Sequence, residues 1–163
     1  MFNKFRKVFI LAVGIATFGL FQSVNADWTI DTEQDIVISL QSNPMTDPER
    51  ACLAVTFARM LKGGGANVTL FVTLDGVSLG DDSVVSSPRF KCDIPEPFPE
   101  DEEVISLEEN LGKFLGSTHE DNRNMVVCPL CWKSRYGSES PDNGTKSANI
   151  GQMIFYAEKI LDF

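Results

Sequence analysis

Two cysteines separated by two residues, Cys128 and Cys131, have the residue type and spacing that reversible sulfur chemistry requires. The apolar run 125–127 before them is typical of a short buried strand, and Gly137 ends what would be two turns of helix. Pro129 suits the first helical position, because an amide there would have no intrahelical partner. A thiol between a strand end and a helix start meets unpaired N–H groups and the positive end of the helix dipole, which stabilise the thiolate. We therefore predict that Cys128 is the reactive sulfur and that Cys131 is its resolving partner.

The same pair also fits a purely structural role. Exported proteins commonly hold their cysteines in fixed disulfides, and a buried cysteine behaves as a small apolar side chain. A Cys128–Cys131 staple in a non-catalytic binding or assembly module is therefore the alternative to a redox-active or persulfide-carrying thiol. The position between a strand and a helix favours the functional interpretation.

Residues 1–26 have the three parts of a secretory signal peptide. A basic start is followed by an apolar stretch of 14 residues from 8 to 21, and Val24-Asn25-Ala26 forms a small-residue cleavage site. The apolar stretch is short for a bilayer-spanning helix, and an uncleaved anchor is the second interpretation. We expect cleavage after Ala26, export to the periplasm if the host is a Gram-negative bacterium, and a single α/β domain over residues 27–163.

The mature chain would be strongly acidic. Residues 27–163 contain 11 basic and 23 acidic residues, a net charge of −12. Such a surface repels phosphate backbones and anionic lipids, which argues against nucleic acid and, after signal cleavage, a membrane as partners. An oxidising compartment favours disulfides, and the four cysteines allow three pairings, which the sequence leaves open.

The strongest secondary-structure patterns build a strand–helix–strand unit. The β-branched run 35–40 predicts a buried strand, and Asp47-Pro48-Glu49 predicts the start of a helix that ends at Gly63-Gly64-Gly65. Residues 66–74 predict a second buried strand. A strand, a helix and a strand within about forty residues imply parallel strands joined by a right-handed crossover. The sequence therefore predicts an α/β domain with a mostly parallel sheet.

The second half of the chain has weaker patterns. Residues 81–103 shift to serine, proline and acidic residues, and we predict a long loop insertion there. A capping box predicts a helix over 107–115, and the only histidine, His119, is interpreted as an exposed loop residue. A helix over 148–157 follows, and residues 159–163 fit either a short last strand or a continuation of that helix.

The predicted elements bring all four cysteines to one edge of the sheet, because each follows the carboxyl end of a strand. We interpret Cys52, in the helix after the first strand, as inert core packing. Cys92, on a mobile loop, could reach Cys128 as a disulfide partner or as a second thiol in a relay. A soft-metal site for zinc or copper(I) formed by Cys52, Cys92, Cys128 and Cys131 is the third hypothesis, although only one of the two expected CxxC pairs is present.

Several segments resemble the DsrE/DsrF-like family, which includes the TusD-type sulfur-relay proteins. The matching segments span nearly all of the mature chain and are Ile36-Val37-Ile38-Ser39-Leu40, the helix 51–61 with its following glycines, Val72-Thr73-Leu74-Asp75-Gly76-Val77, Val127-Cys128, Arg135-Tyr136-Gly137 and Ala157-Glu158-Lys159-Ile160-Leu161-Asp162-Phe163.

The resemblance implies a flavodoxin-like three-layer α/β sandwich that assembles into homo-oligomers, as trimers or hexamers. In relay members the cysteine after the strand, here Cys128, accepts a persulfide sulfur and passes it on, which implies donor and acceptor proteins as partners. We expect no cofactor, and the sequence leaves open whether the protein turns over as a sulfurtransferase or thiol redox enzyme. The signal peptide, Cys131 and the insert carrying Cys92 depart from the cytoplasmic relay pattern.

Overall fold

The computed structural model describes residues 35–93, 104–116, 124–146 and 150–163. The predicted signal peptide and His119 lie outside these ranges. Within them, none of the helices has the length and apolar character needed to cross a bilayer.

A parallel sheet forms the centre of the molecule. The strands in chain order are β1 (Asp35–Leu40), β2 (Asn67–Val72), β3 (Lys91–Asp93), β4 (Val104–Ser106), β5 (Met125–Val127), β6 (Thr145–Lys146) and β7 (Lys159–Asp162). Five of them pair in the order β6-β5-β2-β1-β7, and every pairing in this sheet is parallel. The remaining strands, β3 and β4, form a separate antiparallel pair. The predicted parallel sheet is confirmed.

Helices connect the strands, and their starts follow the capping patterns of the sequence. The helices are α1 (Pro48–Gly63), α2 (Asp82–Val85), α3 (Leu107–Leu115), α4 (Pro129–Tyr136) and α5 (Ile150–Tyr156), together with a 3₁₀ helix over Leu74–Gly80. The Asp47 side chain accepts a hydrogen bond from the N–H of Arg50 at the start of α1. Ser106 accepts one from the N–H of Glu109 at the start of α3. These caps satisfy N–H groups that have no partner inside the helix, which explains why both starts were predictable.

The central strands β1, β2 and β5 are largely buried on both faces of the sheet. Helices α1 and α3 cover one face and form the main core with it, and α5 contributes Ile150 and Met153 to a smaller cluster on the other. The largest fully buried side chains of the main core include Phe114, Ile38, Leu40, Leu70 and Val55. Helices therefore flank a mostly parallel sheet, which is the predicted flavodoxin-like α/β arrangement.

The segment predicted as a loop over 81–103 contains regular structure in the part that is described. Helix α2 and strand β3 lie within it, and β3 pairs Cys92 with Ile105 of β4. A three-residue strand among prolines and acidic residues has too few side chains to show a period, so the sequence pattern missed it. Cys92 is fully buried in this strand, and the prediction that it lies in a loop is wrong.

Candidate functional site

The candidate site forms where two neighbouring parallel strands end. Val72 of β2 and Val127 of β5 are paired in register, so the next residues along the chain, Thr73 and Cys128, emerge side by side. The N–H of Cys128 donates to the carbonyl of Val72 at 2.9 Å and continues the ladder one residue beyond β5. Both side chains therefore lie at the carboxyl edge of the sheet, where open α/β folds bind ligands.

Helix α4 places the side chain of Cys131 next to that of Cys128. It begins at Pro129, directly after Cys128, as the sequence predicts, and Cys131 lies in its first turn. Helical side chains tilt toward the helix N-terminus, which brings the Cys131 Sγ to 2.9 Å from the Cys128 Sγ. Both cysteines are free and partly exposed. A disulfide needs about 2.05 Å between the sulfurs, so the pair can close with a movement of about 1 Å.

Hydrogen bonds favour the thiolate at Cys131. Partial burial raises the pKa of this thiol, but hydrogen bonding with Cys128 and Thr73 and with the backbone of Leu74 and Cys131 outweighs burial, and the pKa lies below its ordinary value. The Thr73 hydroxyl oxygen is 3.5 Å from the Cys131 Sγ. The N–H groups in the first turn of a helix have no intrahelical acceptor, so they are free to bind an anion.

The side chain of Cys128 makes no capping hydrogen bond. The contacts with unpaired N–H groups that the sequence predicts for Cys128 are therefore made by Cys131, one turn further on. The strand, the two cysteines and the helix follow one another as expected. The thiolate that the surroundings stabilise, however, is that of Cys131 and not that of Cys128.

Leu74 is strained at the start of the 3₁₀ helix. Its φ is 49°, and it is the only non-glycine residue with a positive φ in the described ranges. The left-handed region costs a residue with a Cβ roughly 1–2 kcal/mol, and such strain concentrates at functional sites. The backbone of this residue is among the groups that lower the pKa of Cys131, so the strained turn belongs to the site.

Cys131 lines a surface groove of about 580 Å³. The other lining residues are Leu74, Asp75, Leu130, Ser134 and Arg135. Leu74 and Leu130 are 59% and 79% exposed, so the groove presents two large apolar side chains beside the sulfur. Arg135 donates to the carboxylate of Asp75 and, at 3.4 Å, to its backbone carbonyl. This ion pair joins the 3₁₀ helix to α4 across the groove.

A buried aromatic residue anchors α4 beneath the site. Trp132 is 3% exposed, and its Nε1 donates to the carbonyl of Glu139 at 2.7 Å. Its ring stacks on Tyr136 with 4.2 Å between centroids. A Cβ on Gly80 would lie 2.8 Å from the indole, so only glycine allows the 3₁₀ helix to pack this closely. Burial, together with the charge and hydrogen bond of Asp81, raises the pKa of Tyr136 and keeps its phenol neutral.

The other two cysteines form a disulfide. Cys52 of α1 and Cys92 of β3 are bonded, with their Cα atoms 5.2 Å apart and exposures of 7% and 0%. Of the pairings that the sequence leaves open, Cys92 with Cys128 is thus not the one formed, because the pairing of β3 with β4 directs Cys92 toward α1. Cys52 lies in the core as expected, but as half of a disulfide and not as a free thiol.

The soft-metal hypothesis is wrong for the same reason. The disulfide takes two of the four sulfurs that the metal would need. Within the ranges that the structure describes, no three histidine, cysteine or acidic side chains are grouped to hold a metal ion. A structural zinc site generally needs four ligands, and the described residues at this edge of the sheet do not bring four together.

Two residues of the site, Thr73 and Leu74, were not predicted from the sequence motifs. Thr73 and Leu74 contact Cys131 because β2 is the neighbour of β5 and the two strands end in register. The pattern that could have found them is the polar residue directly after a buried strand, at the edge where the cysteines were already expected.

Comparison with known proteins supports the fold alone. No family model matches the sequence, and no curated protein matches it. The crystal structure of ychN protein from E. coli is similar in fold, with a TM-score of 0.51 and 15% identity, covering 80% of this chain and 99% of that chain. That protein has the DsrE/DsrF-like fold. The fold that the sequence resemblance implies is thus found, while membership of the family stays a prediction.

Proposed function

We propose that Cys128 and Cys131 form a reactive thiol pair that exchanges sulfur with partner thiols, in an exported DsrE/DsrF-like protein. The observation that carries the proposal is the pair of free sulfurs 2.9 Å apart, beside an open groove and at the start of a helix. Reactive cysteines lie in partly exposed surroundings that stabilise the thiolate, whereas structural cysteines are buried and inert.

The pair can carry out a balanced sulfur transfer. A thiolate of the pair attacks the outer sulfur of a persulfide, the donor's S–S bond breaks, and the donor leaves as a thiolate. The pair then holds a cysteine persulfide. The second thiol can attack the protein-bound sulfur, which forms the Cys128–Cys131 disulfide and releases hydrosulfide. With a disulfide donor the same two attacks oxidise the pair and reduce the donor to two thiols.

The proposal includes export and self-association. The buried Cys52–Cys92 disulfide supports an oxidising compartment, because disulfides persist there and are rare in the cytosol. Large apolar side chains are exposed on α5 and β7, and they favour an interface between copies, as in the trimers or hexamers that the resemblance implies. These side chains are Ile154, Phe155, Tyr156, Ile160 and Leu161.

The test is sulfur loading of the protein with its pair reduced and its buried disulfide intact. Inorganic polysulfide is added, and the intact mass is measured before and after the excess is removed. We expect the parent to end as the Cys128–Cys131 disulfide, because its second thiol releases the transferred sulfur as hydrosulfide. At least one of the single variants Cys128→Ser and Cys131→Ser should keep the added sulfur at its remaining cysteine, as located by peptide mapping. The variant Cys128→Ser/Cys131→Ser should gain none, and an equal gain in that variant would contradict the proposal.

A second candidate function is a binding or assembly module in which Cys128–Cys131 is a fixed disulfide. The exposed apolar side chains of α5 and β7 favour it, because patches of this kind mark interaction sites. In this case reduction of the pair lowers the melting temperature, and neither thiol reacts faster at neutral pH than an ordinary cysteine. Fast alkylation at the pair would exclude this second function.

A further inference from the structure

We infer that Cys131 is the attacking sulfur of the pair, that Cys128 is the resolving sulfur, and that Thr73 and the backbone of Leu74 position the thiolate. The inference rests on the proposed function and deepens it by assigning a role to each group. It reverses the roles that the sequence predicts.

Access to the donor is the first argument. Of the two sulfur-bearing residues, Cys131 is the one that lines the groove of about 580 Å³. Cys128 is held by its backbone hydrogen bond to Val72, and its side chain packs against the core clusters on both faces of the sheet. A donor sulfur can therefore approach Cys131 from the groove. Cys128 does not line the groove, and it is placed to attack the Cys131 sulfur in the second step.

Stabilisation of negative charge is the second argument. The Cys131 sulfur faces the Thr73 hydroxyl at 3.5 Å, the N–H of Leu74 and its own N–H in the first turn of α4. The lowered pKa of Cys131 agrees with this arrangement. The charged groups that line the groove, Asp75 and Arg135, pair with each other, so neutral donors supply the stabilisation.

The strained turn at Leu74 is the third argument. The chain leaves β2 at Val72 and adopts φ 49° two residues later, where the N–H reaches the sulfur. A leucine keeps such a conformation only when its surroundings demand it, and residues of this kind cluster at reactive sites. Comparable strain is absent beside Cys128, since no other described residue except glycine has a positive φ.

The reaction then has a defined order. The Cys131 thiolate attacks the outer sulfur of a persulfide, and the donor leaves as a thiolate that takes a proton from solvent. Cys131 now carries the persulfide. Cys128, with its sulfur 2.9 Å away, loses its proton to solvent and attacks the Cys131 sulfur. The Cys128–Cys131 bond forms, the Cys131–S bond to the transferred sulfur breaks, and hydrosulfide leaves.

The first experiment compares two matched variants, Cys128→Ser and Cys131→Ser, with the buried disulfide intact. Each is treated with limiting iodoacetamide at neutral pH, and the modified peptide is quantified. A lower pKa raises the thiolate fraction at neutral pH more than it weakens the nucleophile, so we expect Cys128→Ser, which keeps Cys131, to react a few-fold faster. Serine keeps a hydroxyl beside the remaining sulfur, which makes the pair comparable. Faster alkylation of Cys131→Ser would overturn the assignment.

The second experiment tests the positioning role of Thr73 with Thr73→Val and Thr73→Ser in the Cys128→Ser background. Valine keeps the shape and removes the donor, so the rate–pH profile should shift to higher pH. A shift of one unit lowers the thiolate fraction about tenfold but makes the thiolate more nucleophilic, for a net loss of about threefold at neutral pH. Thr73→Ser should restore the profile. A lower melting temperature with an unmoved profile would mean that Thr73 is merely structural, and this part of the inference would be wrong.

The outcomes separate this inference from the proposed function. If Cys128 is alkylated first while polysulfide still oxidises the parent pair or loads sulfur onto a single variant, the role assignment fails and the reactive pair stands. If neither thiol reacts faster than a free cysteine and no sulfur is gained, the reactive pair itself is wrong.

Discussion

The two cysteine pairs of this protein lie in opposite environments. Cys52 and Cys92 join α1 to β3 across 40 residues and are buried in the core. Cys128 and Cys131 span a single helical turn and are partly exposed beside a groove. Backbone N–H groups and a hydroxyl face the sulfur of Cys131, whereas apolar side chains surround the buried pair. The comparison teaches that surroundings decide whether a cysteine holds the fold or performs chemistry.

The largest expected difference between the pairs is in stability. A cross-link over a 40-residue separation removes much more conformational freedom from the unfolded chain than one over a single turn. On the chain-entropy model we expect Cys52→Ala/Cys92→Ala to lower the free energy of unfolding by about 4 kcal/mol. Urea denaturation measures this change.

The matched control is Cys128→Ala/Cys131→Ala, measured against the parent with its reactive pair reduced. Its cysteines are partly exposed and close no long loop, so we expect a loss below about 1 kcal/mol. Similar losses in the two double variants would remove the structural contrast between the pairs.

An intermediate effect is expected from the support beneath the reactive pair. Trp132→Phe keeps an aromatic ring in the core and removes the hydrogen bond to the carbonyl of Glu139. Loss of this bond and of part of the buried ring should lower the free energy of unfolding by about 1–2 kcal/mol. The Cys52–Cys92 disulfide should remain formed, as thiol counting of the variant can verify. Unchanged stability would mean that the indole does not anchor α4.

The smallest expected effect is a pH dependence that only one pair can show. The folded-state pKa of Cys131 is lowered, so its contribution to stability is fully present above the unfolded-state thiol pKa, about 8.5, and is lost as pH falls through the lowered value. Urea denaturation of the reduced protein across this window should show stability rising with pH. The rise should disappear in Cys131→Ser. The same slope in both proteins would assign the titration to another group.

The elements that carry the site were predictable because their patterns are local. Asp47 and Pro48 cap and start α1, and the apolar run 125–127 followed by Pro129 defines β5 and the start of α4. Each of these patterns acts over a few residues, so tertiary contacts do not change it.

The disulfide partner and the division of roles were not predictable because they depend on contacts far apart in sequence. Cys92 reaches Cys52 only because the short strand β3 pairs with β4 and lies against α1. The helix-dipole argument is correct for this turn, but helical side chains point toward the N-terminus, so it is the sulfur of Cys131 that meets the N–H groups. Thr73 contacts the Cys131 sulfur because β2 and β5 are paired in a register that ends both strands side by side.

The buried bond between Cys52 and Cys92 also has a consequence for biogenesis. These two cysteines are the first and second along the chain. A polypeptide that emerges N-terminus first exposes both of them before Cys128 or Cys131 arrives. The native link can thus be made while no competing thiol is present, so vectorial delivery favours correct oxidation without a disulfide isomerase.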